Sequence, residues 1–168
     1  MSRHKVINKT TFEVFIVNKL DGYSEVEWIR DPADTDTFRN VDRKYWKLNA
    51  TETDILEMSQ EEKDTVDSIE LQECVNKRID DLWNSCYEYQ NSFFNEPIWT
   101  KIGQMQMAGD PRALEIDAWI NGLWNEYYTR RYMIYRATDL DSACSISTNF
   151  SDFGEPPYRV YELLGVTL

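Results

Sequence analysis

The sequence predicts an α+β chain: a small N-terminal antiparallel β-sheet, then a long helical hairpin, then an extended C-terminal arm. Three observations predict it. Short alternating or aromatic-rich runs bounded by turn residues fill the first third. A stretch from Ser59 to Phe94 holds no Gly or Pro, opens with a capping-box pattern and carries apolar residues at spacings of four and three. From 137 onward that periodicity gives way to Ser, Thr, Asn, Asp, Gly and Pro. The divisions expected are 1–58 for a small antiparallel β domain, 59–136 for a helical hairpin or bundle, and 137–168 for an arm ending in a short docking segment.

MSRHKVINKT has charge but no apolar run long enough for a signal peptide, and His4 reads as part of a floppy terminus. Residues 11–18, TFEVFIVN, read as a strand. Lys19-Leu20-Asp21-Gly22 supplies a turn, and 23–29, YSEVEWI, alternates again, so the two runs predict a β-hairpin. Residues 30–44 are polar, contain Pro32 and read as a loop. Asp31, Asp34 and Asp36 have the oxygen ligands of a Ca²⁺ site, but the run lacks the glycine and terminal Glu of an EF-hand loop, so a solvated loop is expected and no metal. Tyr45–Leu48 and Asp54–Met58 are two short strands around a turn. A sheet of about four strands needs cover on one face, which the helices can supply.

Ser59 and Glu62 form the capping box, with Glu61, Glu62 and Asp64 at the positive end of the helix dipole. Val75, Ile79, Leu82, Cys86, Tyr89 and Phe93 make a seam on one face. At 1.5 Å per residue the helix is roughly 50 Å long, which suggests a seam shared with other helices of this chain or of its copies. Pro97 starts a short helix that Ala108-Gly109 ends. Asp110-Pro111 starts another, with Ile116, Ile120, Leu123 and Tyr127 as a second seam, running to about Arg136. The two long helices are expected to lie antiparallel. The terminal run from Tyr158 turns apolar again and suits a short helix closed by Gly165, or a docking segment.

The chain has 168 residues, 42% hydrophobic and 14% aromatic, with a formal net charge of −12. That charge excludes nucleic acid and anionic membrane surfaces as partners. Residues 59–95 carry half of it, a solvated face or an acidic docking face. No stretch is long enough to span a membrane. Cys74, Cys86 and Cys144 are an odd number at wide spacing and form no disulfide framework, which fits a reducing compartment. Asn8, Asn49 and Asn149 each begin an N-x-[ST] triplet, read as chance matches.

No catalytic constellation stands out. One histidine leaves no Ser/His or Cys/His pair and no di-iron Glu-x-x-His set. Neither Asp80/Asp81 nor Glu115/Asp117 places two carboxylates on one helix face. The chain reads as non-enzymatic, with no cofactor. Trp28, Trp83, Trp99, Trp119 and Trp124 lie in or beside apolar patterns and are expected in the core. Tyr127, Tyr128, Tyr132 and Tyr135 cover more than one side of their helix, so some must be exposed or in an interface. The candidate interface residues are Val75, Ile79, Leu82, Tyr89 and Phe93 on the first seam. Arg130, Arg131, Tyr132 and Tyr135 join them near the end of the second long helix. Tyr158, Tyr161, Leu163 and Leu164 complete the set in the terminal segment.

YWKLNATETDILEMSQEEKDTVD, residues 45–67, resembles segments of virion and tail-fibre-associated proteins of tailed bacteriophages. There an aromatic-Lys strand pair leads through E-M-[ST]-x-x-E-K into a helix, matched here by Tyr45, Trp46, Lys47, Glu57, Met58, Ser59, Glu62 and Lys63. GDPRALEIDAWINGLWNEYYTRR, residues 109–131, looks like helices of small phage proteins. The resemblance implies a structural virion component of the tail, neck or fibre-attachment region. Its expected partners are other virion proteins and copies of itself, and its place is the virion after synthesis in the host cytoplasm. It carries no catalytic residue over. The alternative is a cytoplasmic acidic adaptor or inhibitor that masks a basic partner. A third reading is a carboxylate hydrolase acting on cell-wall sugars.

Overall fold

Two adjacent apolar residues near the N-terminus, Val6 and Ile7, organise the first sheet. The computed structural model describes residues 3–32 and 40–165, apart from the side chains of Val160 and Tyr161. The architecture is α+β, with short antiparallel strands before long helices. The chain divides into two compact units, one ending at Ile69 and the other beginning at Glu70.

In the first unit, β1 (His4–Asn8) lies between β2 (Val14–Val17) and β3 (Trp28–Arg30), antiparallel to both. Ile7 pairs with Val14 on one side and Ile29 on the other. Three expectations are corrected here. The N-terminus is the central strand, the two runs expected to form a hairpin pair with it rather than with each other, and among the described residues five strands in two sheets replace one sheet of about four. The reason lies in the turns. Gly22 does take a positive φ of 94°, and the Tyr23 amide donates to Leu20 O. A second turn then follows at once, with the Glu27 and Trp28 amides donating to Ser24 O, so no ladder grows back along β2. The β1–β2 connection is instead closed by Asn8, whose Oδ1 accepts from the amides of Thr10 and Thr11. Such side-chain mimicry of a backbone turn is an Asn habit.

Asp31 ties β1 to the end of β3. One carboxylate oxygen meets His4 Nδ1 at 2.8 Å and the other accepts from the Lys5 amide at 3.0 Å. The His4 hydrogen bond, followed by that amide, holds the Asp31 carboxyl below the ordinary range. Asp34 and Asp36, its companions in the metal reading, lie outside the described residues. Among the described residues no three ligating side chains cluster.

A second sheet pairs β4 (Trp46–Leu48) with β5 (Ile55–Glu57), as expected. Ile7, Ile29, Trp46 and Ile55 share one core, with Phe12, Val14, Val41 and Leu48 packed around it. Helix α1 runs Gln60–Phe93 and begins on the expected capping box. The Ser59 amide donates to Glu62 Oε2 at 2.7 Å, and the Glu62 amide to Ser59 Oγ at 3.3 Å. Lys47 also reaches the Glu62 carboxylate at 2.6 Å. That ammonium, then the Ser59 amide, lower the Glu62 pKa to about 2.

In the second unit α1 meets α2 (Glu96–Met107) and α3 (Pro111–Tyr135), followed by α4 (Leu140–Ser145) and α5 (Val160–Leu164). Asn95 and Asp110 cap α2 and α3, with Pro97 and Pro111 in their first turns. One core joins Val75, Leu82 and Cys86 of α1 to Leu123, Tyr127 and Ile134 of α3, with Ala143 and Phe150 added from the arm. A second joins Phe94, Ile98, Ile102 and Met105 to Ala113, Ile116 and Leu163. Trp119 bridges them. Tyr89, Phe93, Phe94 and Phe153 all lie within 6.3 Å of its ring, and its Nε1 donates to Gly154 O.

The arm lies against this layer. Asp139 and Ser142 make a capping box for α4, a short helix where the composition predicts an extended arm. Phe150 is fully buried, and the Arg130 guanidinium sits 4.8 Å from its ring centre. Gly122 has a physical reason here. A helix-interior Gly costs about 1 kcal/mol against Ala, but a Cβ at this position would press on Phe153 Cζ at 3.3 Å. α5 ends at Gly165 in a left-handed conformation, as the short-helix reading expects.

Candidate interaction surface

On a helix, residues three, four, seven and eight apart share a ridge. Trp83, Tyr87 and Gln90 share one on α1, beside the buried seam. Trp124, Tyr128, Tyr132 and Tyr135 share one on α3. Gln90 is buried, and its Oε1 accepts from Trp124 Nε1 at 2.6 Å, which joins the ridges at one end. Tyr89 and Phe93 meet Trp119, while Cys74 and Arg78 meet the segment that follows α3, so the two helices run antiparallel. From the Gln90–Trp124 junction both ridges therefore run in the same direction along one side of the hairpin.

The rings on that side are not covered. Trp83, Tyr87, Tyr128, Tyr132 and Tyr135 are 44–71% exposed. Trp83 and Tyr87 stack in parallel, with centres 5.0 Å apart and planes 8° from parallel. Tyr127, buried in the core, touches Trp124 and Tyr128 edge-on. Burial pushes the Tyr127 phenol up, with Arg131 pulling the other way. Met133 is exposed beside these tyrosines in sequence. The expectation that Trp83 belongs to the core is corrected: the seam passes through 82 and 86, and 83 falls on its flank.

The proposed interface residues separate into three groups. Val75 and Leu82 are buried within the chain, and Ile79, Tyr89 and Phe93 pack at its core edges. Leu163 is also buried, and Tyr158 packs on the second core and donates to Glu115 Oε2 at 2.8 Å. Arg130 is only 12% exposed in its side chain and is taken up by the arm. It bonds Glu126 Oε1 at 2.7 Å and the carbonyls of Ser147 and Asn149, and lies near Asp152. Arg131, Tyr132, Tyr135 and Leu164 remain at the surface. The Tyr161 side chain lies outside the described residues. Trp83, Tyr87 and Met133 are surface groups that the sequence reading did not place there. The signal for the first two was an i, i+4 aromatic pair one step off the apolar seam.

An open cleft of about 420 Å³ in the first unit is lined by Lys9, Glu25, Trp28, Arg30 and Glu52, among others. Its charges are matched internally, Lys9 to Glu52 and Arg30 to Glu25. No helix among the described residues is long and apolar enough to cross a membrane. Set against known protein families, curated proteins and solved structures, the chain matches none of them.

Proposed function

We propose that this protein is a non-enzymatic structural component of a phage virion, in the tail, neck or fibre-attachment region. It works by protein–protein contact through the aromatic side of the α1–α3 hairpin, beginning with copies of itself. The observation that carries the contact reading is the row of five exposed rings on two joined ridges. Exposed rings gathered along one side of a helix pair suit a contact surface, since Tyr and Trp are concentrated at the centres of interfaces. The resemblance of residues 45–67 and 109–131 to phage virion proteins supplies the setting. Because the seam residues are buried within the chain, the exposed ridges are the better candidates for self-association.

The test is absolute mass by light scattering on a sizing column, across a range of concentrations. A discrete oligomer that survives dilution is expected. Tyr132→Ala with Tyr135→Ala should dissociate it while leaving the far-UV spectrum and melting temperature unchanged. A monomer at every concentration would refute self-association and favour the acidic adaptor, with α1 carboxylates masking a basic partner.

A further inference from the structure

Three cysteines in a chain with no disulfide pattern look inert one by one. Cys86 is: it is fully buried in the hairpin core, and burial pushes its thiol up to about 11. The other two are brought together by the fold. Cys74 on α1 and Cys144 on α4 are 70 positions apart, yet their Sγ atoms lie 3.6 Å from each other. Arg78, one turn along α1 from Cys74, donates through Nη2 to Cys144 O at 3.3 Å and to Ile146 O. This clasp holds the α4 segment against α1 whatever the state of the thiols. Cys144 is exposed and Cys74 half-buried, so one sulfur meets solvent and the other waits behind it.

We propose that Cys74 and Cys144 form a reversible disulfide site that locks the start of the C-terminal arm onto α1 under oxidising conditions. With hydrogen peroxide as oxidant, the Cys144 thiolate attacks one peroxide oxygen. The O–O bond breaks, hydroxide leaves and takes up the proton that the Cys144 thiol released, giving water, and Cys144 becomes a sulfenic acid. Cys74 then attacks Cys144 Sγ. The S–O bond breaks, a second water leaves with the Cys74 proton, and the S–S bond forms. Two thiols thus give up two electrons to one peroxide. The sulfurs must close from 3.6 Å to about 2.05 Å. Burial, with the neighbouring Cys144, raises the Cys74 thiol, which suits it to the resolving rather than the attacking role. A dithiol reverses the bond by exchange. Thiols would persist in a reducing cytoplasm and the bond would set outside it. That timing rests on the virion reading; the chemistry does not.

The test treats the full reduced chain with stoichiometric hydrogen peroxide and maps peptides by mass spectrometry. Expected are a loss of about 2 Da, a Cys74–Cys144 cross-linked peptide, and reversal by dithiothreitol. Cys86→Ala should still form the cross-link, while Cys74→Ser and Cys144→Ser should lose it. The closed loop is long, so the melting temperature should rise by about 10 °C or more. Sulfinic acid on Cys144, or a Cys144–Cys144 link between chains, without the internal cross-link would overturn the proposal. So would a bond that forms and leaves the melting temperature unchanged. The wild-type map decides the matter even if a serine variant folds poorly, and it is independent of the mass measurement that tests self-association.

Discussion

Phe150→Ala is the sharpest test of the docked arm. The ring is fully buried, lies among core side chains contributed by α1 and α3, and has the Arg130 guanidinium 4.8 Å from its centre. Returning a Phe side chain to water costs about 1.5–3 kcal/mol. The unfilled space raises Phe→Ala losses to about 3–5 kcal/mol. The cation–π contact adds about 0.5–2 kcal/mol, overlapping with the rest. An estimate near 4 kcal/mol follows, and in a unit of this size that lowers the melting temperature by roughly 15–30 °C. Urea titration followed by circular dichroism measures the loss, and Phe150→Leu, which keeps much of the volume, should recover most of it. Hydrogen exchange separates two ways of paying the loss: faster exchange confined to 140–153 means the arm lifts away, while faster exchange in α1 and α3 means the shared core loosens. A loss within about 0.5 kcal/mol, the range of a surface substitution, would show that the ring is not packed, and the argument for a docked arm would fail.

Four further outcomes are expected. Ile7→Ala should cost the first unit about 2–5 kcal/mol, measured by chemical denaturation, because Ile7 is fully buried on the central strand; a floppy terminus would register nothing. Ser59→Ala should cost about 1 kcal/mol by removing the helix cap. Glu62 has a folded pKa near 2 against 4.5, so its contribution is fully present above about pH 4.5 and is lost as pH falls toward 2. Wild type should therefore lose more stability than Glu62→Gln across that window, and parallel acid titrations would contradict the Lys47–Glu62 contact. Gln90→Leu should destabilise by about 1–3 kcal/mol, since it strips the Trp124 N–H of its acceptor, and Trp fluorescence should report the change.

Much of the helical half was legible because its determinants are local. The capping box at Ser59 and Glu62, the Asp110 cap, the prolines of the first turns and the four-three seams all act within a few residues, and each lies where the residue types predict. The sheet was less legible because strand pairing is decided by partners far along the chain. Val6 and Ile7 are too short a run to announce a central strand, and only hydrogen bonding to β2 and β3 on both edges makes them one. The turn at Gly22 was read correctly as a turn and wrongly as a hairpin, since a turn does not say what its flanks pair with. The exposed ridge is half legible: Tyr132 and Tyr135 are expected in an interface, but Trp83, lying beside an apolar pattern, is expected in the core and is instead exposed.

By itself, then, the sequence determined the α+β class, the span of the long helices and their caps, through interactions one or two turns in reach. The tertiary structure alone decided which strand is central, that the seam closes inside one chain, that Arg130 holds the arm, and that Cys74 meets Cys144. All of these join residues far apart in sequence, where chain entropy opposes the contact and only the packed core on both sides makes it favourable.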